Sequence, residues 1–251
     1  FNGQCEGLTA QNVEQMRRVY DINGINYDFW WFDAGWGTDG TGAHNRLGQW
    51  YHGVNFEMNG EAFPDGLHAF GKSLKENGKE LMLWFEPEMI SEDSDLFRAH
   101  PDYAIGKDGL TPCRSRNQLV LDFTRPDVVD YVFERVSAVL RSCDISYVKW
   151  DMNRNITEFF SRALPADRQG ELAHRYILGV YGLAEKLTAA FPDVFFEGCA
   201  GGGGRFDGGM LYYFPQIWTS DDTDAFERAK IQWGTSMCYP ASAMSCITFF
   251  L

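Results

Sequence analysis

The sequence is poor in the residues that build metal and dinucleotide sites. Its 251 residues include only 5 His and 6 Cys. The cysteines stand at 5, 113, 143, 199, 238 and 246, with no C-x-x-C pair and no Cys/His metal spacing. Scattered in this way in a chain of this length, they suit a reducing compartment better than a disulfide framework, so a cytoplasmic location is expected. No G-x-G-x-x-G follows an apolar run, which removes the main support for dinucleotide binding. The glycine-rich stretch Cys199-Ala200-Gly201-Gly202-Gly203-Gly204-Arg205 lacks the Gly-Lys-Ser/Thr ending of a phosphate-binding loop. No run of about 18 apolar residues is present, so no membrane-spanning helix is expected. Positive charge is scarce as well: 22 Lys and Arg against 35 Asp and Glu give a net charge of -13. A surface of that sign argues against nucleic acid or an acidic membrane as partner and fits a neutral substrate.

Aromatic residues are abundant, with 8 Trp, 11 Tyr and 20 Phe. Most belong in a core, but the same rings also form platforms for the faces of sugars. The length suits one α/β barrel. The chain starts at Phe1 and ends in the apolar run Ile247-Thr248-Phe249-Phe250-Leu251, and both ends suggest a domain cut from something longer.

Along the chain, strand, loop and helix alternate. A helix is expected over 8–23, capped by Thr9 and carrying Val13, Met16, Val19 and Tyr20 at helical spacing. Further helices are expected at 67–77, 93–100, 126–142, 167–191 and 223–233. Strands are expected at 25–32, 80–85, 118–121, 145–150, 194–196 and 216–219, with another in 239–250. An eighth strand would lie at or before residue 1. The polar loop 37–60 is long enough to be functional. Carboxylates follow strand after strand: Asp33, Glu86, Asp122, Asp151, Glu197 and Asp221. An open doubly wound sheet gathers its functional groups at one crevice. Their repetition here favours a closed barrel.

Two carboxylates across a glycosidic bond are enough to cleave it. Asp151 and Asp221 end separate strands and can face each other across a pocket. Lys149 shares a strand face with Asp151, and an ammonium there suits a nucleophilic carboxylate. A plain ion pair inside the barrel fits the same spacing equally well. In Ser220-Asp221-Asp222-Thr223-Asp224 the acids could cap the following helix or bind a divalent cation. Cys199 has no histidine placed to activate it, and His100 and His174 suit structural roles.

Longer motifs point to a family. Trp84-Phe85-Glu86-Pro87-Glu88-Met89-Ile90-Ser91, Ser115 through Asp122, Tyr147 through Arg154, Gly202 through Asp207 and Trp218 through Ala225 together resemble α-galactosidases of glycoside hydrolase family 36. That resemblance implies a (β/α)8 TIM-type barrel, incomplete at strand 1 and at strand 8, as a single catalytic domain over 1–251, and a retaining double displacement on terminal α-galactosides such as melibiose or raffinose. It implies Asp151 as nucleophile and Asp221 as acid/base, with no metal or cofactor. Trp84, Arg116, Lys149, Asn153 and Cys199 would contact galactose, and Asp33, Trp150, Gly202 and Arg205 complete the expected sugar-binding set. The expected partner is an α-galactoside oligosaccharide, and a homo-oligomer stays open. The flanking β-sandwich domains typical of the family are absent from this sequence. It also departs from the family at Asp33-Ala34-Gly35-Trp36, where the family commonly has Asp-Asp-Gly-Trp, and at Ser242-Ala243-Met244-Ser245-Cys246, where it usually continues Met-Gly-Ala-His. A variant sugar preference is therefore open. So are galactosyl transfer of the raffinose or stachyose synthase type and a barrel fragment with weak sugar binding.

Overall fold

Among the described residues six strands form one parallel sheet: β1 (Phe29–Phe32), β2 (Glu80–Phe85), β5 (Ile145–Trp150), β6 (Phe195–Gly198), β7 (Gln216–Trp218) and β8 (Met244–Ser245). Their order in the sheet is β1-β2-β5-β6-β7-β8. This computed structural model describes residues 9–33, 36, 63–92, 94–115 and 118–245. Each new strand is added beside the previous one and always on the same side. A doubly wound sheet reverses direction at a switch point, and none occurs here.

The sheet is curled. Trp31 on β1 and Trp218 on β7 meet edge to face with ring centroids 5.8 Å apart. Four strand spacings separate them in the sheet, about 19 Å if it were flat. The sheet therefore curls toward its inner face as in a half-barrel.

Alternation along each strand sorts residues between the two faces. The register pairs Met82 with Tyr147, Trp84 with Lys149, and Lys149 with Glu197, all on the inner face. Phe32, Leu81, Leu83, Phe85, Val148, Trp150, Phe196 and Ile217 occupy the other face and are buried against the helices.

The helices follow from amphipathic spacing. α1 (Ala10–Ile22) starts where Thr9 accepts a hydrogen bond from the Asn12 amide at 3.2 Å. α2 (Gly66–Glu76) precedes β2. α4 (Pro126–Ser142) has proline in its first turn and buries Val128, Val132, Val136 and Leu140. α5 (Leu172–Ala190) buries Leu172, Tyr176, Val180, Leu183 and Leu187 at spacings of three and four. The expected start of this helix at 167 is instead a 3-10 turn, Ala166–Glu171. Gly179 lets α5 lie directly on the chain at Phe123, because a Cβ there would sit 1.9 Å from the Phe123 carbonyl oxygen. α6 (Gly208–Tyr213) and α7 (Ala225–Ser236) complete the outer layer. Among the described residues no helix is long and apolar enough to cross a membrane.

Two expectations are corrected. The run at 118–121 is not a barrel strand. β4 (Leu119–Val120) pairs antiparallel with β3 (Met89–Ile90) in a separate ladder within the excursion between β2 and β5, which also holds α3 (Asp95–Ala99). A short apolar run buried on both sides looks alike in either setting. Likewise, strand 25–32 shortens to β1, with 25–27 outside it. Residues 34–35, 37–62, 116–117 and 246–251, which include Ala34, Arg116 and all of the long loop 37–60, lie outside the described residues.

Candidate active site

The C-terminal ends of the parallel strands converge on Asp151. It follows β5 directly, and its amide donates to the Phe85 carbonyl at 2.8 Å, which extends the ladder by one residue. The side chain faces inward and is 5% exposed. Three donors fix its carboxylate. Trp84 Nε1 (3.0 Å) and Asn153 Nδ2 (2.8 Å) reach Oδ2, and the Met152 amide (2.9 Å) reaches Oδ1.

Lys149 lies one inward position below. Its Nζ donates to Asp33 Oδ2 at 3.1 Å and sits 5.1 Å from the Trp31 ring centroid and 4.6 Å from that of Trp218. Burial pushes its pKa down, but the negative charges at Asp33 and Asp151 outweigh that, and the net shift is upward. Lys149 thus remains a cation, sandwiched between two indoles. Cys199, after β6, is buried; burial first and then the Asp151 charge push its thiol pKa well up, so it packs as a neutral group.

Asp221 belongs to the exposed loop after β7. Trp218 Nε1 donates to its Oδ1 at 2.9 Å. Gly202, at φ 81°, lies against this loop: a Cβ there would come within 2.9 Å of Ser220 Cα and 3.0 Å of the Asp221 amide nitrogen. Gly202 is thus the residue that lets the β6 loop touch the β7 loop. The left-handed backbone it adopts is one that other L-residues avoid. Asn153 joins the same contact, since its Oδ1 accepts from the Gly201 amide at 3.1 Å.

The structure therefore brings Asp151, Lys149, Asp33, Trp84, Asn153, Cys199 and Gly202 to one end of the curled sheet, and Asp221 stands on the β7 loop, tied to that end through Trp218. Two expected sugar contacts are not brought there. Trp150 lies between Lys149 and Asp151 in sequence, so its side chain emerges on the opposite face. It is 1% exposed, packs on Phe214, and donates Nε1 to Glu88 Oε1 at 2.8 Å. Arg205 turns to the same carboxylate, with Nη1 3.0 Å from Glu88 Oε2 and Nη2 2.8 Å from Oε1. Both serve the packing behind the site.

Several residues that hold the site were not among the expected catalytic or sugar-binding residues, although Glu86 and Glu197 were noted as strand-end carboxylates. Glu86 accepts from the Asn153 amide at 2.8 Å and from Gln118 Nε2 at 3.0 Å. Glu88, fully buried, binds Trp150, Arg205 and the Tyr176 hydroxyl. Glu-Pro-Glu thus grips both sides of Asp151, and a pair of carboxylates inside an apolar stretch was the available signal. Glu197 faces the barrel interior, where it accepts from the Tyr147 hydroxyl at 2.7 Å and from Ser245. Burial raises its pKa against the opposing effect of these two hydrogen bonds and Lys149. Asp122, expected at a barrel-strand end, is fully buried and binds Thr124 and Ser161.

The family model described as Melibiase matches residues 10–248. The chain belongs to the melibiase family. Among curated melibiase relatives, α-galactosidase AgaA of Geobacillus stearothermophilus is 50% identical over 212 residues, covering 84% of this chain and 28% of that protein. α-Galactosidase Mel36A of Lactobacillus acidophilus is 46% identical over 235 residues, covering 93% of this chain and 31% of the relative. Among solved structures, the family 36 AgaA variant in complex with raffinose superposes with a TM-score of 0.88 at 43% identity, over 95% of this chain and 32% of that one. The α-galactosidase of Lactobacillus brevis gives 0.87 at 46% identity, over 94% and 31%. The chain thus spans under a third of the length of these melibiases.

Proposed function

We propose that this chain is the catalytic (β/α)8 barrel of a retaining α-galactosidase, with residues 1–251 forming one domain. The observation that carries the reading is the immobilised Asp151 carboxylate at a strand end, held by three donors beside a buried lysine. Asp151 would attack the anomeric carbon while Asp221 protonates the departing glycosidic oxygen. Asp221 would then take a proton from water as that water displaces Asp151, so two inversions give net retention. Trp84, Asn153 and Gly201 hold the nucleophile side of the pocket rigid, which is the condition for an in-line attack. Asp33, Lys149 and Asn153 supply polar contacts to galactose hydroxyls. Trp31, Trp84 and Trp218 supply the apolar wall, and Cys199 packs beside it.

Relatives support the same pair. Two solved AgaA variants, one with raffinose and one with stachyose, each carry a replaced aspartate. The two replaced positions are separated by the same number of residues as Asp151 and Asp221. Oligosaccharides ending in α-galactose are accordingly the proposed substrates. Asp151→Ala should abolish turnover of melibiose, and azide should restore part of the activity while yielding β-galactosyl azide. Wild-type turnover in that variant would overturn the assignment.

A further inference from the structure

Asp221 sits on a loop with little regular bonding of its own, yet an acid that must meet a leaving oxygen needs a fixed position. The support comes from beneath. Arg228, on α7, is 1% exposed and reaches back under the loop. Its Nη1 donates to the Ser220 carbonyl at 2.8 Å and to the Asp222 carbonyl at 3.3 Å, and its Nη2 donates to Thr219 Oγ1 at 2.6 Å. These acceptors bracket Asp221 on both sides. The guanidinium also lies 5.9 Å from the centroid of the Trp218 ring, whose nitrogen holds the Asp221 carboxylate. Asp224 closes the far end by capping α7 through the Phe226 and Glu227 amides.

Among the described residues Arg228 forms no ion pair, and its Nε has no hydrogen-bond partner. A buried cation held by neutral oxygens carries a desolvation cost that stability alone does not explain. We infer that Arg228 is the positioning residue of the acid/base: by clamping the carbonyls on either side of Asp221, it sets the carboxyl over the glycosidic oxygen. The inference rests on the reading of Asp221 given above. A general acid contributes about 10²–10⁴-fold, and a misplacement of about 1 Å can cost on the order of 10²-fold.

The test compares two substrates with the same galactosyl group on the full chain. Melibiose must have its leaving alkoxide protonated; a dinitrophenyl α-galactoside releases a phenolate that needs no proton. The ratio of the two kcat/KM values, taken on one preparation, does not depend on the fraction that is folded. Arg228→Met should lower kcat/KM for melibiose by roughly 10- to 100-fold and leave the aryl substrate little changed. Arg228→Lys keeps the cation but cannot reach all three acceptors, so its ratio should fall between those of Arg228→Met and wild type. It decides alone if the Met variant does not fold. Asp221→Ala, run in parallel, should show the same selective loss, larger. If Asp221→Ala is selective while the Arg228 variants keep the wild-type ratio, the positioning role is overturned and the acid/base assignment stands. If Asp221→Ala keeps the ratio, the assignment fails and the inference with it.

Discussion

Replacing Glu88 with Gln isolates what holds the back of the site. The Glu88 carboxylate is fully buried and receives four donors: Trp150 Nε1 at 2.8 Å, the Tyr176 hydroxyl at 2.6 Å, and Arg205 Nη1 and Nη2 at 3.0 and 2.8 Å. Glutamine keeps the volume but removes the charge. Its amide nitrogen must replace one carboxylate oxygen, and either choice turns an N–H toward a guanidinium N–H. Arg205, with a side chain only 15% exposed, is then left as a buried cation without its partner. Breaking one side of a buried pair costs about 3–5 kcal/mol, a large share of the ~5–15 kcal/mol that holds a typical domain together. Equilibrium unfolding in urea should show the midpoint falling by more than about 1 M at unchanged slope. Glu88→Gln with Arg205→Met removes both charges, so the double variant should lose less than the sum of the singles, by about 0.5–3 kcal/mol. A loss below about 1 kcal/mol, or strictly additive singles, would refute the claim that this pair braces the strand leading into Asp151.

Two further outcomes test the inner face and the loop contact. Gly202→Ala forces an alanine into the left-handed region, at about 1–2 kcal/mol, and drives its Cβ onto the backbone of Ser220 and Asp221. Turnover of melibiose should fall on the order of 10²-fold, and near-wild-type kinetics would show that the β7 loop yields freely. Glu197 has its pKa raised above the ordinary value of 4.5, chiefly by burial, so the folded state holds its proton more tightly than the unfolded chain. Stability from this group is therefore fully present below pH 4.5 and declines as pH rises through the folded value. Measured against Glu197→Gln, the wild-type stability advantage should shrink over that window; a pH-independent difference would contradict the burial of the carboxylate.

Local signals made much of the fold legible. Thr9 caps α1, Pro126 opens α4, and apolar spacing marks α4 and α5, because each signal lies within one turn of the residues it organises. α6 was missed: it begins with two glycines, spans only six residues, and depends on Asp207 capping the Gly209 and Met210 amides. The run at 118–121 was recognisable as extended, but its antiparallel partner β3 is fixed by tertiary packing. Asp151 and Asp221 were expected at the ends of two strands, and each lies just after a parallel strand, β5 and β7. Trp150 was misassigned although strand alternation already placed it opposite its two neighbours. Arg205 could not be placed from sequence, because the carboxylate it serves is 117 residues away. Arg228 gave no sequence signal: its acceptors are mostly backbone carbonyls, which look the same under every sequence.

The central claim is that Asp151 forms a bond to galactose. Incubation with a ring-fluorinated α-galactosyl fluoride, followed by proteolysis and peptide mass mapping, tests it directly. The account predicts one galactosyl adduct per chain, on the peptide containing Asp151 and localised to that carboxylate, and no adduct in Asp151→Ala. An adduct on Asp221, or turnover of the reagent with inversion and no adduct, would contradict it.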